Sequence, residues 1–281
     1  MQAIRNSACR LRPLVSNSLS STRAMAPVSS TANGTQEVKI LMLHGFTQSG
    51  PLFHAKTRAL EKLLIKTLAP ASILPKLIYP TGPNLLTVDD IPGYRPPPNQ
   101  DPETEPPEMW SWWRKDDATG TYRYFDNGLQ VVADTIAEAG GVDGICGFSQ
   151  GGALTGIVAA ALESDRAIPD GEDGDWARKL REANGGRAAK FAIVYSGFWA
   201  GVDRLKWLYE PNLTTPSLHF IGSLDTVVDE TRSQQLIDRC DDPKVVVHPG
   251  GHHVPISKEW AMPLAGFIKQ YASASTPRAG L

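Results

Sequence analysis

From residue 38 onward, short apolar runs alternate along the chain with longer stretches in which apolar side chains recur every three or four positions. Residues 38–43 (VKILML) read as a strand covered on both faces, and 52–68 as an amphipathic helix with Leu60, Leu63, Leu64 and Leu68 on one side. Residues 73–79 predict a second strand. Residues 127–139 predict a helix through Leu129, Val132 and Ile136, residues 144–148 a strand, and 151–162 a helix rich in small residues. Strands are expected again at 190–195, 217–221 and 244–247, with helices near 229–240 and 256–271. Strands separated by helical segments imply βαβ units, hence a mostly parallel, doubly wound α/β sheet with helices on both faces. One domain over 37–273 accounts for the pattern, with 274–281 as a disordered tail.

Two stretches break the rhythm. Residues 80–107 hold nine prolines and lead into Trp110, Trp112 and Trp113. Proline removes backbone donors and fixes φ, so this stretch is not expected to be regular structure, although it is too aromatic for a plain linker. Residues 165–186, rich in glycine and charge, read as a solvated excursion that covers nothing.

Charge narrows the function. The 281 residues carry 28 Lys and Arg against 30 Asp and Glu, a formal charge of −2, which argues against a nucleic-acid surface. No apolar run approaches a membrane span. Cys9, Cys146 and Cys240 stand far apart without ligand spacing, so neither a disulfide framework nor a zinc site is expected. Residues 1–36 contain four arginines, seven serines and no acid, which leaves 24 basic against 30 acidic groups, a charge of −6, for the rest. Such a start resembles a mitochondrial transit peptide, or else a disordered tail, and Met25 offers a second start that omits most of it. The expected location is cytoplasmic or mitochondrial, not secreted.

Chemistry enters at Gly147-Phe148-Ser149-Gln150-Gly151, a G-x-S-x-G between an apolar strand and a helix. There a sharp turn presents a serine hydroxyl above the sheet, and flanking glycines let backbones approach without Cβ clashes. The bland alternative is a serine that only caps the helix. A serine nucleophile needs a base, and in α/β-hydrolases the order is Ser, acid, His. Of six histidines, His252 and His253 follow the last strand on a loop opened by Gly250 and Gly251; His252 is the expected base and His253 the alternative. Asp225, at the carboxyl end of a strand, is the expected acid, with Asp229 explicable as a helix cap. The oxyanion donors are expected to be the backbone N–H of Gln150 and of Phe46, the latter in the loop HGFTQSG after the first strand. That loop lacks the spacing of a phosphate-binding P-loop. Trp110, Trp112 and Trp113 are candidates for an apolar acyl pocket, against simple packing of their loop onto the body.

Together, HGFTQSG (44–50), DGICGFSQGG (143–152), GSLD with the following VV (222–228) and HPGGHHVP (248–255) resemble a serine hydrolase family common in fungi. Its relatives include animal proteins described as ovarian-tumour-candidate esterases and polyketide-releasing thioesterases. The resemblance spans about 38–272 and implies an α/β-hydrolase fold with no large cap domain. It also implies carboxylesterase or thioesterase action on small-molecule acyl substrates, with no cofactor and no metal. Carried onto this chain, the nucleophile falls on Ser149, the acid on Asp225 and the histidine on His252. His44 departs from the small residue many relatives have before the glycine, which touches no member of the triad; the proline-rich run 92–107 is longer than the family suggests, so relatives are a weaker guide to the substrate. Against this stand a catalytically silent ligand-binding module on the same scaffold and a hydrolase of other bonds, such as a peptidase.

Overall fold

The computed structural model describes residues 34–91, 93, 108–116 and 118–273. The leader up to 33, most of the proline-rich run and the tail from 274 lie outside the described residues. In chain order the elements are β1 (Gln36–Leu43), α1 (Gly50–Leu68), β2 (Ile73–Ile78), β3 (Asn84–Leu86), β4 (Met109–Ser111), β5 (Arg114–Lys115), β6 (Tyr122–Arg123), α2 (Phe125–Glu138), β7 (Gly144–Phe148) and α3 (Gln150–Leu162). There follow α4 (Glu172–Ala183), β8 (Phe191–Tyr195), β9 (Ser217–Gly222), α5 (Glu230–Ile237), β10 (Lys244–His248) and α6 (Lys258–Ala272).

Six strands form one sheet in the order β10-β9-β8-β7-β1-β2, and every pairing in it is parallel. The inner strands β7, β8 and β9 are buried throughout because both faces are covered, whereas the edge strands β2 and β10 are partly exposed. In β1, Leu41 and Leu43 join a core with α2, α3 and α4, while Val38, Ile40 and Met42 join a second core with α1 and α6. Burying each large side chain contributes roughly 1.5–3 kcal/mol, so the two cores hold the helices against both faces of the sheet. The helix after β1 lies on one face and the helix after β7 on the other. Adjacent carboxyl ends of β1 and β7 therefore form the switch point at which such sheets bind ligands. Among the described residues no helix is long and apolar enough to cross a membrane.

Two expectations are corrected. Residues 165–186 are not a solvated excursion: they contain α4, whose Trp176, Ala177 and Leu180 are buried against α2 and α3. The apolar positions recur at helical spacing, but the acidic first turn and flanking glycines mask them in the composition. Nor is 80–107 wholly irregular. Asn84 to Asp90 contains no proline, and β3 there pairs antiparallel with β4 before a 3-10 turn at Val88–Asp90.

Candidate active site

The turn between β7 and α3 is one residue wide. Ser149 takes φ 54° and ψ −115°, a strained conformation of the kind that costs about 1–3 kcal/mol and persists only where the surroundings enforce it. They do so through glycine. A Cβ on Gly147 would stand 2.0 Å from the Gly151 carbonyl oxygen, and one on Gly151 would stand 2.0 Å from that of Leu43. The first turn of α3 thus lies directly on β1 and β7, and the Ser149 amide donates to the Tyr195 carbonyl at 2.9 Å. Although Ser149 occupies the N-cap position, its hydroxyl makes no capping bond.

That hydroxyl instead meets His252, with Oγ 3.0 Å from Nε2. On the other edge of the ring, Nδ1 lies 2.7 Å from Oδ2 of Asp225. Burial alone would push the Asp225 carboxyl up. The hydrogen bonds from His252 and the Val228 amide outweigh it and hold the group below the usual carboxylate range. Its other oxygen, Oδ1, accepts the amides of Val227 and Val228, each at 2.9 Å. An ionised carboxylate only accepts, so Nδ1 carries the ring proton and Nε2 offers its lone pair to the serine.

The loops that carry acid and base are laced together. The Ser223 amide donates to the His248 carbonyl and the Leu224 amide to that of Gly250, at 2.9 and 3.1 Å. His248 is buried, and its Nδ1 accepts the Gly250 amide. His253, the alternative base, is exposed and packs edge-on against His248, with ring centroids 5.2 Å apart. Asp229 caps α5, accepting the Arg232 amide at 2.9 Å. The two open choices thus separate by position: one member of each pair reaches the serine relay and the other does not.

The loop after β1 abuts the elbow. A Cβ on Gly45 would fall 3.0 Å from the Phe148 ring and 3.4 Å from Cβ of Ser149. Among the described residues, neither the Phe46 nor the Gln150 amide donates a hydrogen bond within the chain. The loop is tied down around them. His44 is fully buried; its Nε2 accepts the Gly82 amide at 2.8 Å, its Nδ1 meets the Gly45 carbonyl, and its own carbonyl accepts the Trp112 indole N–H. The Gln150 side chain accepts the Trp112 amide and donates to the Trp113 carbonyl, both at 2.9 Å. No local pattern marks His44 or the Gln150 side chain as a tether, because their partners lie far off in sequence.

Burial keeps two of these rings neutral. It lowers both His44 and His219 from 6.5 to about 4. Above pH 6.5 both are neutral folded or unfolded. Between 6.5 and about 4 the unfolded chain takes up protons that the fold refuses, so stability falls as pH falls, by roughly 1.4 kcal/mol per unit for each ring. Thermal melts should therefore show a steep decline in Tm between pH 7 and 5, and His219→Leu should make that decline shallower. An unchanged Tm across this window would contradict the burial argument.

The tryptophans are a third correction. Trp112 and Trp113 are 0% and 2% exposed and lie in the core with Phe125 and Leu129, so neither has surface left for a substrate. Trp110 borders a separate cleft with Ser49 and Pro83. The open cleft beside the relay, about 510 Å³, is lined instead by Phe53, Phe148, His252, Val254, Ile256 and Trp260. Sequence order concealed it, since it joins α1 to the loop before α6.

A parallel sheet of this order, with a strained serine at its switch point and an imidazole–carboxylate pair on the two later loops, defines an α/β-hydrolase. A family model described as serine hydrolase (FSH1) matches residues 33–264, and the chain belongs to that family. It is 30% identical over 245 residues to the esterase OVCA2 of Bos taurus, an alignment covering 84% of this chain and 97% of that protein. It is 31% identical over 230 residues to a Schizosaccharomyces pombe protein named dihydrofolate reductase, covering 79% of this chain and only 44% of that relative. Among solved structures, acyl-protein thioesterase 2 of Zea mays superposes with a TM-score of 0.53 at 18% identity, over 85% of this chain and 95% of the other, which is a likeness of fold.

Proposed function

We propose that this chain hydrolyses carboxylic esters or thioesters of acyl chains through a Ser149–His252–Asp225 triad. The observation that carries the reading is the unbroken relay from Ser149 Oγ to His252 at 3.0 Å and on to Asp225 at 2.7 Å. In the first half-reaction, His252 Nε2 takes the hydroxyl proton as Oγ bonds to the acyl carbonyl carbon. The Phe46 and Gln150 amides stabilise the oxyanion, aided by the N-terminal end of α3. As the intermediate collapses, the bond to the leaving oxygen or sulfur breaks and His252 delivers its proton there, leaving an acyl-Ser149 ester. Water then repeats the sequence, losing a proton to His252 and releasing the acid and the free serine.

A silent binding module would have no use for a strained serine aligned with a base and an acid. A fluorophosphonate probe should label the purified protein at Ser149, and Ser149→Ala should abolish labelling. Labelling that persists in the variant would remove Ser149 from the nucleophile's role.

A further inference from the structure

We infer that the cleft beside His252 is the acyl subsite and that it takes a chain bearing a carboxylate at its far end, met by Lys56. This rests on the hydrolase reading of Ser149 and deepens it.

The cleft opens at the reacting groups. Phe148, the residue before the nucleophile, lies 4.7 Å ring to ring from His252 and stacks at 6.5 Å on Phe53 of α1. With Val254, Ile256 and Trp260, these rings give the cleft its apolar walls, and Gln48, His253 and Ser257 complete the lining. Such walls suit hydrocarbon. Aromatic and branched walls next to His252 place a hydrocarbon chain beside the reacting carbonyl, so the cleft is assigned to the acyl chain rather than to the leaving group.

Lys56 stands three residues beyond Phe53 on α1, hence on the same helix face about 4.5 Å further along the axis. It is exposed, and among the described residues it makes no hydrogen bond or ion pair. Among the described residues, no Asp or Glu lines the cleft. That is notable in a body where acidic groups outnumber basic ones by 30 to 24. An ammonium on a flexible apolar stem, on the lining of a cleft walled by aromatic rings and without competing carboxylates, is arranged to receive an anion carried by the chain.

The test compares p-nitrophenyl hexanoate with mono-p-nitrophenyl adipate, acyl chains of equal carbon number that differ by a terminal carboxylate. The quantity read is the ratio of kcat/KM, adipate over hexanoate. Lys56→Met should lower it about tenfold and Lys56→Glu further, while Lys56→Arg keeps it. Lys62→Met, an exposed lysine of the same helix outside the cleft, should leave it unchanged. A ratio indifferent to Lys56→Met overturns the inference. So does a tenfold loss on hexanoyl-CoA with none on adipate, which would put the anion on the leaving group. Fluorophosphonate labelling of each variant separates the failures: retained labelling with an unchanged ratio removes only the subsite, whereas absence of labelling in the parent removes the hydrolase reading itself.

Discussion

Ser149→Ala should lower kcat on any substrate the protein hydrolyses by at least ~10⁴-fold, with little change in KM or in the melting temperature. In the proposed mechanism the Ser149 hydroxyl oxygen is the atom that becomes acylated, and the buried Ser196 hydroxyl lies beside Asp225 rather than beside His252 Nε2. His252→Ala should cost about as much, because Oγ at 3.0 Å then has no acceptor for its proton. The double variant should be scarcely worse than either single one, since residues acting as a unit lose their effect together. Asp225→Asn should fall between, as the amide leaves the ring's position intact but favours the wrong tautomer. Single-turnover measurement with an activated ester checks all four. Strictly additive losses, or a Ser149→Ala variant within tenfold of the parent, would contradict a shared relay.

Glu163→Ala should destabilise the fold by about 3–5 kcal/mol, which at this chain size lowers Tm by roughly 10 °C. Glu163 ends α3, and its carboxylate accepts six hydrogen bonds. Four come from the amides and hydroxyls of Thr214 and Thr215, and two from the Arg166 guanidinium. Arg166 in turn donates to the carbonyls of Trp207, Pro211 and Asn212. The two side chains are 8% and 2% exposed. Removing the carboxylate strands a guanidinium away from water and leaves four further donors unpaired. The pair itself is a different matter, since the cost of desolvating two charges offsets most of their attraction. Pairing Glu163→Gln with Arg166→Met should therefore recover much of the loss. Thermal and urea denaturation test both statements; a Glu163→Ala variant melting within 2 °C of the parent would show the knot to be dispensable.

The errors of the sequence reading share one cause. Residues 165–186 looked solvated because charge and glycine dominate their composition, yet Trp176, Ala177 and Leu180 suffice to bind α4 to the body. Trp112 and Trp113 looked available to a ligand because the prolines before them imply a surface loop. They are instead the rings on which that loop is seated, with the Trp112 indole bonded to His44 and both main chains bonded to Gln150. In each case an aromatic side chain reports burial, but composition does not say whether protein or substrate covers it.

What the sequence alone determined is everything enforced over a few bonds. The apolar inner strands, the helices between them and the one-residue elbow at Ser149 follow from periodicity and from Gly147, where a Cβ would strike the Gly151 carbonyl oxygen 2.0 Å away. The order of serine, acid and histidine along the chain also follows. Tertiary structure alone decided which of two adjacent histidines turns to the serine and what work His44 performs. It also decided which residues wall the cleft, because Phe53, Phe148 and Trp260 become neighbours only when helices from opposite ends of the chain pack on one face of the sheet. Proximity between distant segments is a property of packing, and no local pattern encodes it.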